Sequence, residues 1–332
     1  MTRPSETDLI ARYFAPLAGE GGLQLKDDAA RLTPAPGHDV VLTADALVAG
    51  VHFFPDDPPA SIARKALGVN VSDLAAKGAE PRGFLITLAL PADWTAGWLE
   101  GFAQGLGVAA RDFGCPLLGG DTVRAGGALT LAITAAGEVP HGRMVHRAGA
   151  EPGDVVCVSG TIGDAALGLA LRLARQGGAP APWGAALSPD EEGHLLDRYL
   201  QPRPRVRLAP LLRAHASAAM DVSDGLAGDL AKLLRASAAT AILDTESVPL
   251  SGAARAALAA DPSLIDRILT GGDDYEVLCT VPEAQLEAFQ DHARAAGIAA
   301  VPIGQVMEGG GLPAFVTAGT ERRYEGGSFS HF

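Results

Sequence analysis

Aspartate is the residue that could carry chemistry here, and its placement repeats. It occurs as Asp27-Asp28, Asp45, Asp73, Asp121, Asp221 with Asp224, and Asp273-Asp274, in the runs LTADAL, NVSDLA, LLGGDT, AMDVSDG and LTGGDDYE. Most sit at the end of a strand-like run or in a turn beside glycine. One such aspartate is explained by a helix cap or turn. The whole set, flanked by glycine and apolar residues rather than lysine, calls for cations among the carboxylates, because neighbouring carboxylates repel and are costly to bury unpaired. A divalent ion such as Mg²⁺, held by a few carboxylates and completed by phosphate oxygens and water, fits that need.

Other phosphate-handling signatures are missing. The chain has four lysines (Lys26, Lys65, Lys77 and Lys232), none in a G-x-x-x-x-G-K-[ST] context, and it lacks the H-R-D and D-F-G runs of protein kinases. Gly105-Leu-Gly107-Val-Ala-Ala110 mimics a dinucleotide fingerprint but lies within a helical pattern, so it reads as a small-residue packing face. Asp221 to Gly225 hints at a calcium loop, yet the twelfth position is Lys232 rather than glutamate. SGTIGDA (159–165) follows a strand and opens a helix. Its amides could meet phosphate, but a plain strand-to-helix turn is the favoured reading. His52, between Val51 and Phe53, reads by itself as structural.

The elements that position these residues alternate between strand and helix. Apolar spacing predicts helices over 5–18, 59–78 and 94–113 and from Gly163 onward. Strands are expected at 38–48, 83–91, 128–139, 154–160, 240–248, 276–281 and 299–306. The turn-rich run RAGAEPG (147–153) marks a boundary, giving domains 1–148 and 149–332. QPRPRVRLAP (201–210) reads as an internal connector interrupted by proline. The fold class is α/β (α+β) in two domains, as 332 residues at roughly 100–200 per domain also suggest.

Composition narrows the partners. A net charge of −13 argues against nucleic acid and anionic membranes, and no apolar run is long enough to span a bilayer. Cys115, Cys157 and Cys279 lie far apart and are expected to be buried thiols in a reducing compartment. The first ten residues lack a basic stretch followed by an apolar one, so the expectation is a cytoplasmic protein without a secretory signal.

The ordered set DDAA (27–30), LTADALVAGVHF (42–53), KALGVNVSDLAAKGAEP (65–81), LLGGDT (117–122), DVVCVSGTIGDAALGL (154–169), MDVSDGL (220–226) and TGGDDYEVL (270–278), ending at SFSHF, resembles the thiamine-monophosphate kinase family. The parent superfamily is similar to aminoimidazole ribonucleotide synthetase. The resemblance implies a homodimer with an N-terminal ATP- and metal-binding domain and a C-terminal domain completing a cleft. It also implies direct in-line transfer of the γ-phosphoryl group of ATP, assisted by several Mg²⁺ ions, to thiamine monophosphate. Carried over by position, Asp28, Thr43, Ala44, Asp45, Asp73, Asp121, Asp221 and Asp224 match metal positions. Gly120, Asp121, Arg147 and Ser223 match nucleotide contacts, and His52, Asp273 and Phe329 match substrate contacts. No protein nucleophile is implied. The chain departs from the family pattern at Lys26 (usually glycine), Asp273 (usually glutamate) and Ala103, where an aromatic often meets adenine. Selenophosphate synthetase, the hydrogenase-maturation relative and a non-catalytic sensor fit less well. The first two use a cysteine this chain lacks at those places, and a sensor would have lost metal aspartates.

Overall fold

The computed structural model describes residues 5–326 and residue 328. Phe329 lies outside the described residues. The chain forms two compact units, Met1–Leu74 with Ala79–Met144, and Ala75–Gly78 with Val145–Phe332. The break in the chain thus falls at 144/145, and the short return at 75–78 goes with the second unit.

The first unit is a four-stranded sheet in the order β1-β4-β2-β3, made of β1 (His38–Val48), β2 (Glu80–Leu90), β3 (Leu117–Arg124) and β4 (Thr130–Pro140). β2 and β3 run parallel and the other pairs antiparallel. Alternation sorts the residues: Phe84, Ile86 and Leu88 are buried, whereas Leu85 is exposed. The predicted helix over 5–18 is broken into a short α1 (Glu6–Leu9), a π-turn (Ile10–Phe14) and a 3₁₀ turn (Ala15–Leu17). Pro16 cannot donate to a continuing ladder, which explains the tightened last turn. The other two helices are α2 (Pro59–Ala76) and α3 (Ala96–Asp112). The small residues of α3 do form a packing face. A side chain at Gly105 would run into Ala60 of α2, and one at Gly107 into Leu17.

The second unit holds a seven-stranded sheet, β11-β10-β7-β9-β5-β8-β6. Its strands are β5 (Val155–Ser159), β6 (Ala218–Asp221), β7 (Thr240–Asp244), β8 (Val277–Val281), β9 (Ala300–Met307), β10 (Ala314–Thr317) and β11 (Thr320–Arg322). Its helices are α4 (Asp164–Arg175), α5 (Pro189–Leu200), α6 (Ala209–His215), α7 (Leu226–Ala236), α8 (Gly252–Ala260), α9 (Leu264–Thr270) and α10 (Leu286–Ala295). Helices cover both faces. Val156, Val158 and Met220 join Leu167 and Leu230 in one core, while Cys157, Ala219 and Cys279 join Leu212 and Phe289 in the other. All three cysteines are buried and free, as expected, and burial pushes the Cys157 thiol up to about 12. Strand β7 stops four residues short of the expected end because Asp244 accepts the Glu246 N–H at 3.0 Å and opens a 3₁₀ turn. The predicted connector at 201–210 is irregular up to the turn Val206–Leu208.

Beneath the 271–276 run lies a buried polar knot. Glu276, fully buried, accepts Ser159 Oγ at 2.6 Å and Arg198 at 2.8 Å, and it pairs with Arg205 from the connector. Asp274, 1% exposed, accepts the Gly163 N–H at 2.8 Å and reaches the Ala165 N–H at 3.5 Å. The first turn of α4 is thus filled by a carboxylate of the protein itself. The reading of 159–165 as a strand-to-helix turn holds, and two of the amides that the phosphate alternative would use, those of Gly163 and Ala165, are taken by Asp274. Gly160 (φ 60°) is required here, since a side chain would enter the Glu276 carboxylate.

Burial holds the Asp274 carboxyl well above its ordinary value, against the pull of the Gly163 N–H and Arg198. With the folded value above the unfolded one, its stabilising contribution is complete below about pH 4 and is lost as pH rises through the folded value. Asp274→Asn, which keeps an acceptor, is therefore expected to gain stability relative to wild type between pH 5 and pH 8. Asp274→Ala should lose about 1–3 kcal/mol at pH 5 by orphaning the helix amides. Thermal midpoints of the three proteins at both pH values check this, and a wild-type-to-Asn difference that ignores pH refutes it.

Candidate active site

In the first unit the candidate residues divide between the two faces of the sheet. Thr43 and Asp45 share β1's inward row with buried Val41 and Leu47, facing α2. Thr43 Oγ1 donates to Asp73 Oδ2 at 2.5 Å, and the Asp45 N–H donates to Asn70 Oδ1 at 3.2 Å. Asn70, fully buried on α2, is held by the Ala66 carbonyl at 3.1 Å. Thr43, Asp45 and Asp73 are thus brought together by a strand and the helix packed on it, with Ala44 on the opposite face of β1.

Asp121 lies on the other side. Register places it in the row Ala46–Ala132–Thr87–Asp121, next to the row Asp45–Ile133–Ile86–Gly120. Adjacent rows point to opposite faces. Asp28, Thr87, Gly120 and Asp121 line a cavity of about 690 Å³ on this open face. Gly120 is required by close approach, since a side chain there would strike the Ile86 backbone. Asp45 and Asp121 sit on the two edge strands, three strand spacings apart, about 14 Å at ~4.8 Å each. Among the described residues no three or more His, Cys, Asp and Glu side chains close around one point. Within this unit the candidate aspartates thus fall into two groups, Asp45 with Asp73 on one face and Asp28 with Asp121 on the other.

His52 follows β1 in a tight turn. Its Nδ1 accepts the Val48 N–H at 3.0 Å, so in the neutral ring Nε2 carries the proton. Ala103 is buried in α3, so the departure there leaves no side chain for stacking. Lys26, exposed, donates to Gln24 Oε1 at 2.9 Å.

In the second unit Asp221 ends β6, and the turn after it carries Ser223 and Asp224 into α7. The 271–276 run is laced to that turn. The Asp273 N–H donates to the Ser223 carbonyl and the Tyr275 N–H to the Val222 carbonyl, each at 2.8 Å, while the Val222 N–H donates to the Glu276 carbonyl at 2.8 Å. Asp273 and Tyr275 take positive φ (72° and 50°), and the Tyr275 hydroxyl donates to Asp273 Oδ1 at 3.1 Å. The run alternates, with Asp274 and Glu276 buried and Asp273 and Tyr275 half-buried. Ser223, Asp224 and Asp273 thus form one group, and Arg147 is exposed at the start of this unit.

Sequence reasoning missed several supports. Asn70, Asp229, Lys232, Arg198 and Arg205 each hold a candidate residue or its loop through the contacts above or through Asp224. The signal for Lys232 is legible in its spacing, three residues after Asp229 and eight after Asp224. The donor set of carboxylates and a threonine hydroxyl, without thiol or imidazole, fits a hard divalent cation.

Residues 26–139 match the family model for the AIR synthase related protein N-terminal domain, and residues 151–316 that for the C-terminal domain. The thiamine-monophosphate kinase of Caulobacter vibrioides is 43% identical over 317 residues, covering 94% of this chain and 87% of that protein. Among solved structures, the thiamine-monophosphate kinase from Stenotrophomonas maltophilia K279a is 40% identical with a TM-score of 0.78, covering 87% of this chain and 89% of that one. AaThiL complexed with AMPPCP and TMP is 30% identical with a TM-score of 0.77, covering 100% of this chain and 99% of that one. With both AIR synthase related domains in order and likeness to these enzymes along nearly its whole length, the chain belongs to the thiamine-monophosphate kinase family.

Proposed function

We propose that the chain transfers the γ-phosphoryl group of ATP to the phosphate of thiamine monophosphate, giving thiamine diphosphate and ADP, as a step of thiamine diphosphate biosynthesis. The observation that carries this reading is the full-length likeness to a structure holding AMPPCP and TMP together. Phosphoryl transfer between two anions asks for positioning and charge neutralisation and needs no covalent enzyme intermediate. Asp28, Thr43, the Ala44 backbone, Asp45, Asp73, Asp121, Asp221 and Asp224 would hold Mg²⁺, which when bound neutralises phosphate charge as a Lewis acid. Gly120, on the cavity wall beside Asp121, would lie along the nucleotide, Ser223 offers a hydroxyl, and the Arg147 guanidinium can grip phosphate oxygens in pairs. His52 and Asp273, the latter steadied by Tyr275, would orient the substrate, its thiazolium favoured by the acidic group. Phe329 would stack on the thiamine ring.

The finer reading also includes a cytoplasmic homodimer built on the first unit. Its support is the open face of the four-stranded sheet, where Leu42 is 67% exposed and Val40, Leu85 and Val123 are each above 40%. β1 and β3 are the two edge strands of this sheet, and beyond the bridge of Ala18 to Leu117 at the start of β3 no further strand pairs with either among the described residues. Three buried thiols suit a reducing compartment. Among the described residues no helix is long and apolar enough to cross a membrane.

The test is product analysis of purified protein with ATP, Mg²⁺ and thiamine monophosphate, with and without chelator. Magnesium-dependent thiamine diphosphate with equimolar ADP is expected; ADP without thiamine diphosphate would overturn the substrate assignment. Asp45→Asn and Asp121→Asn should each lower turnover by about 10²–10³-fold with unchanged melting. Near-normal turnover in either would refute the metal role. Leu42→Glu should shift the protein from dimer to monomer in light scattering, and a wild type that is monomeric throughout refutes the dimer.

A further inference from the structure

Lys232 stands in α7, eight residues after Asp224, and its ammonium bridges two carboxylates of different character. Nζ donates to Asp224 Oδ2 at 2.5 Å and to Asp229 Oδ1 at 2.8 Å. Asp229 is internal: its side chain is fully buried, and its other oxygen accepts the N–H groups of Ser223 at 3.0 Å and Asp224 at 2.9 Å. It therefore shapes the turn that carries both candidate residues. Asp224 is external, its side chain 36% exposed, and its carboxylate is one of those read above as a magnesium ligand.

We infer that Lys232 is a positioning residue for Asp224, a resident cation on the ligand carboxylate that limits how tightly a divalent ion binds there before nucleotide arrives. The inference rests on the reading of Asp224 as a metal ligand. Two cations cannot share one carboxylate without mutual repulsion, and a metal ion coordinated by Asp224 would lie within a few ångströms of the ammonium. The metal must therefore displace Lys232 from Asp224 or bind beside it at a cost. Lys232 has somewhere to remain, because Asp229 keeps its own bond to the ammonium and stays buried with its two backbone donors. The turn then holds its shape whether or not the metal is bound. The positive charge at α7 also lets the turn carry two adjacent acids, Asp224 and Asp229, in the empty enzyme, where they would otherwise repel each other. A structural lysine whose only task is to steady α7 would predict the opposite response, since its loss would loosen the turn and weaken the metal.

The experiment is a Mn²⁺ titration of the full-length protein without nucleotide, read by electron paramagnetic resonance, for wild type, Lys232→Met, Lys232→Gln, Lys232→Arg and Asp224→Asn. Both neutral variants are expected to bind one Mn²⁺ about three- to ten-fold more tightly than wild type, with Arg restoring the wild-type value. The gain should shrink as KCl is raised, because the repulsion it relieves is screened. Asp224→Asn should lose that site. If Asp224→Asn binds as wild type does, the ligand reading of Asp224 fails. If Asp224→Asn loses the site while both neutral variants bind with wild-type or weaker affinity, the role of Lys232 alone is overturned. Met suits a helix interior, and Gln can still hydrogen-bond Asp229, so a fold defect confined to one variant leaves the other to decide.

Discussion

Glu276 is a carboxylate with no exposure to water, and the second unit is organised around that fact. A buried charge of this kind is tolerated only with opposite charge and donors in place. Here Arg198 comes from α5, Arg205 from the irregular stretch before α6, and the Ser159 hydroxyl from the end of β5. Three segments distant in sequence are thereby fixed to the start of β8. Removing one partner would leave uncompensated charge in the core, so the constraint is mutual. Two residues upstream, Asp274 adds a fourth segment by taking the N-terminus of α4. The half-buried residues between and before these two acids, Tyr275 and Asp273, inherit their positions from the buried ones.

The same alternation explains the backbone. Asp273 and Tyr275 adopt left-handed φ values that ordinary residues avoid, at a cost of order 1 kcal/mol each. That cost is offset by the ladder to Val222 and Ser223 and by the buried acids on either side. Glycine is needed where the two loops touch. A side chain at Gly225 would meet the Thr270 backbone, and one at Gly272 the Ser223 backbone. Two loops that look independent in the sequence, MDVSDGL and TGGDDYEVL, are one piece of structure.

Much of this fold was legible in the chain because period and length agree with burial. Strand 38–48 and helix 94–113 emerge within two residues of their expected limits, since alternation in β1 and apolar spacing in α3 follow directly from which face is covered. Strand β3 was hidden because Gly119-Gly120-Asp121 has turn composition, and only pairing with β2 extends it. β6, β10 and β11, at three or four residues each, carry too little period to announce themselves. The candidate site was legible as a set of residue types but not as a geometry. Asp45 and Asp121 share chemistry, yet register sends their rows to opposite faces of one sheet. A change of one residue in register would have put them on the same face.

The aspartates also show why residue type alone does not assign role. Asp164, Asp229 and Asp274 are each buried, and each is bonded to two or more donors of the protein: Thr161 and Ser251 for Asp164, the Ser223 and Asp224 amides with Lys232 for Asp229, and the α4 amides for Asp274. Their lone pairs are committed to holding loops, and desolvation makes a further ligand expensive. Asp28 and Asp121 instead border a cavity of about 690 Å³ with exposed carboxylates. In a chain of net charge −13 that must receive anions, these two classes depend on each other. The internal acids engage protein cations, Arg198, Arg205 and Lys232 among them, while the outward acids Asp28 and Asp121 face the cavity. The aspartates thus divide by environment, into buried loop holders whose lone pairs the fold has already used and exposed carboxylates that border a cavity.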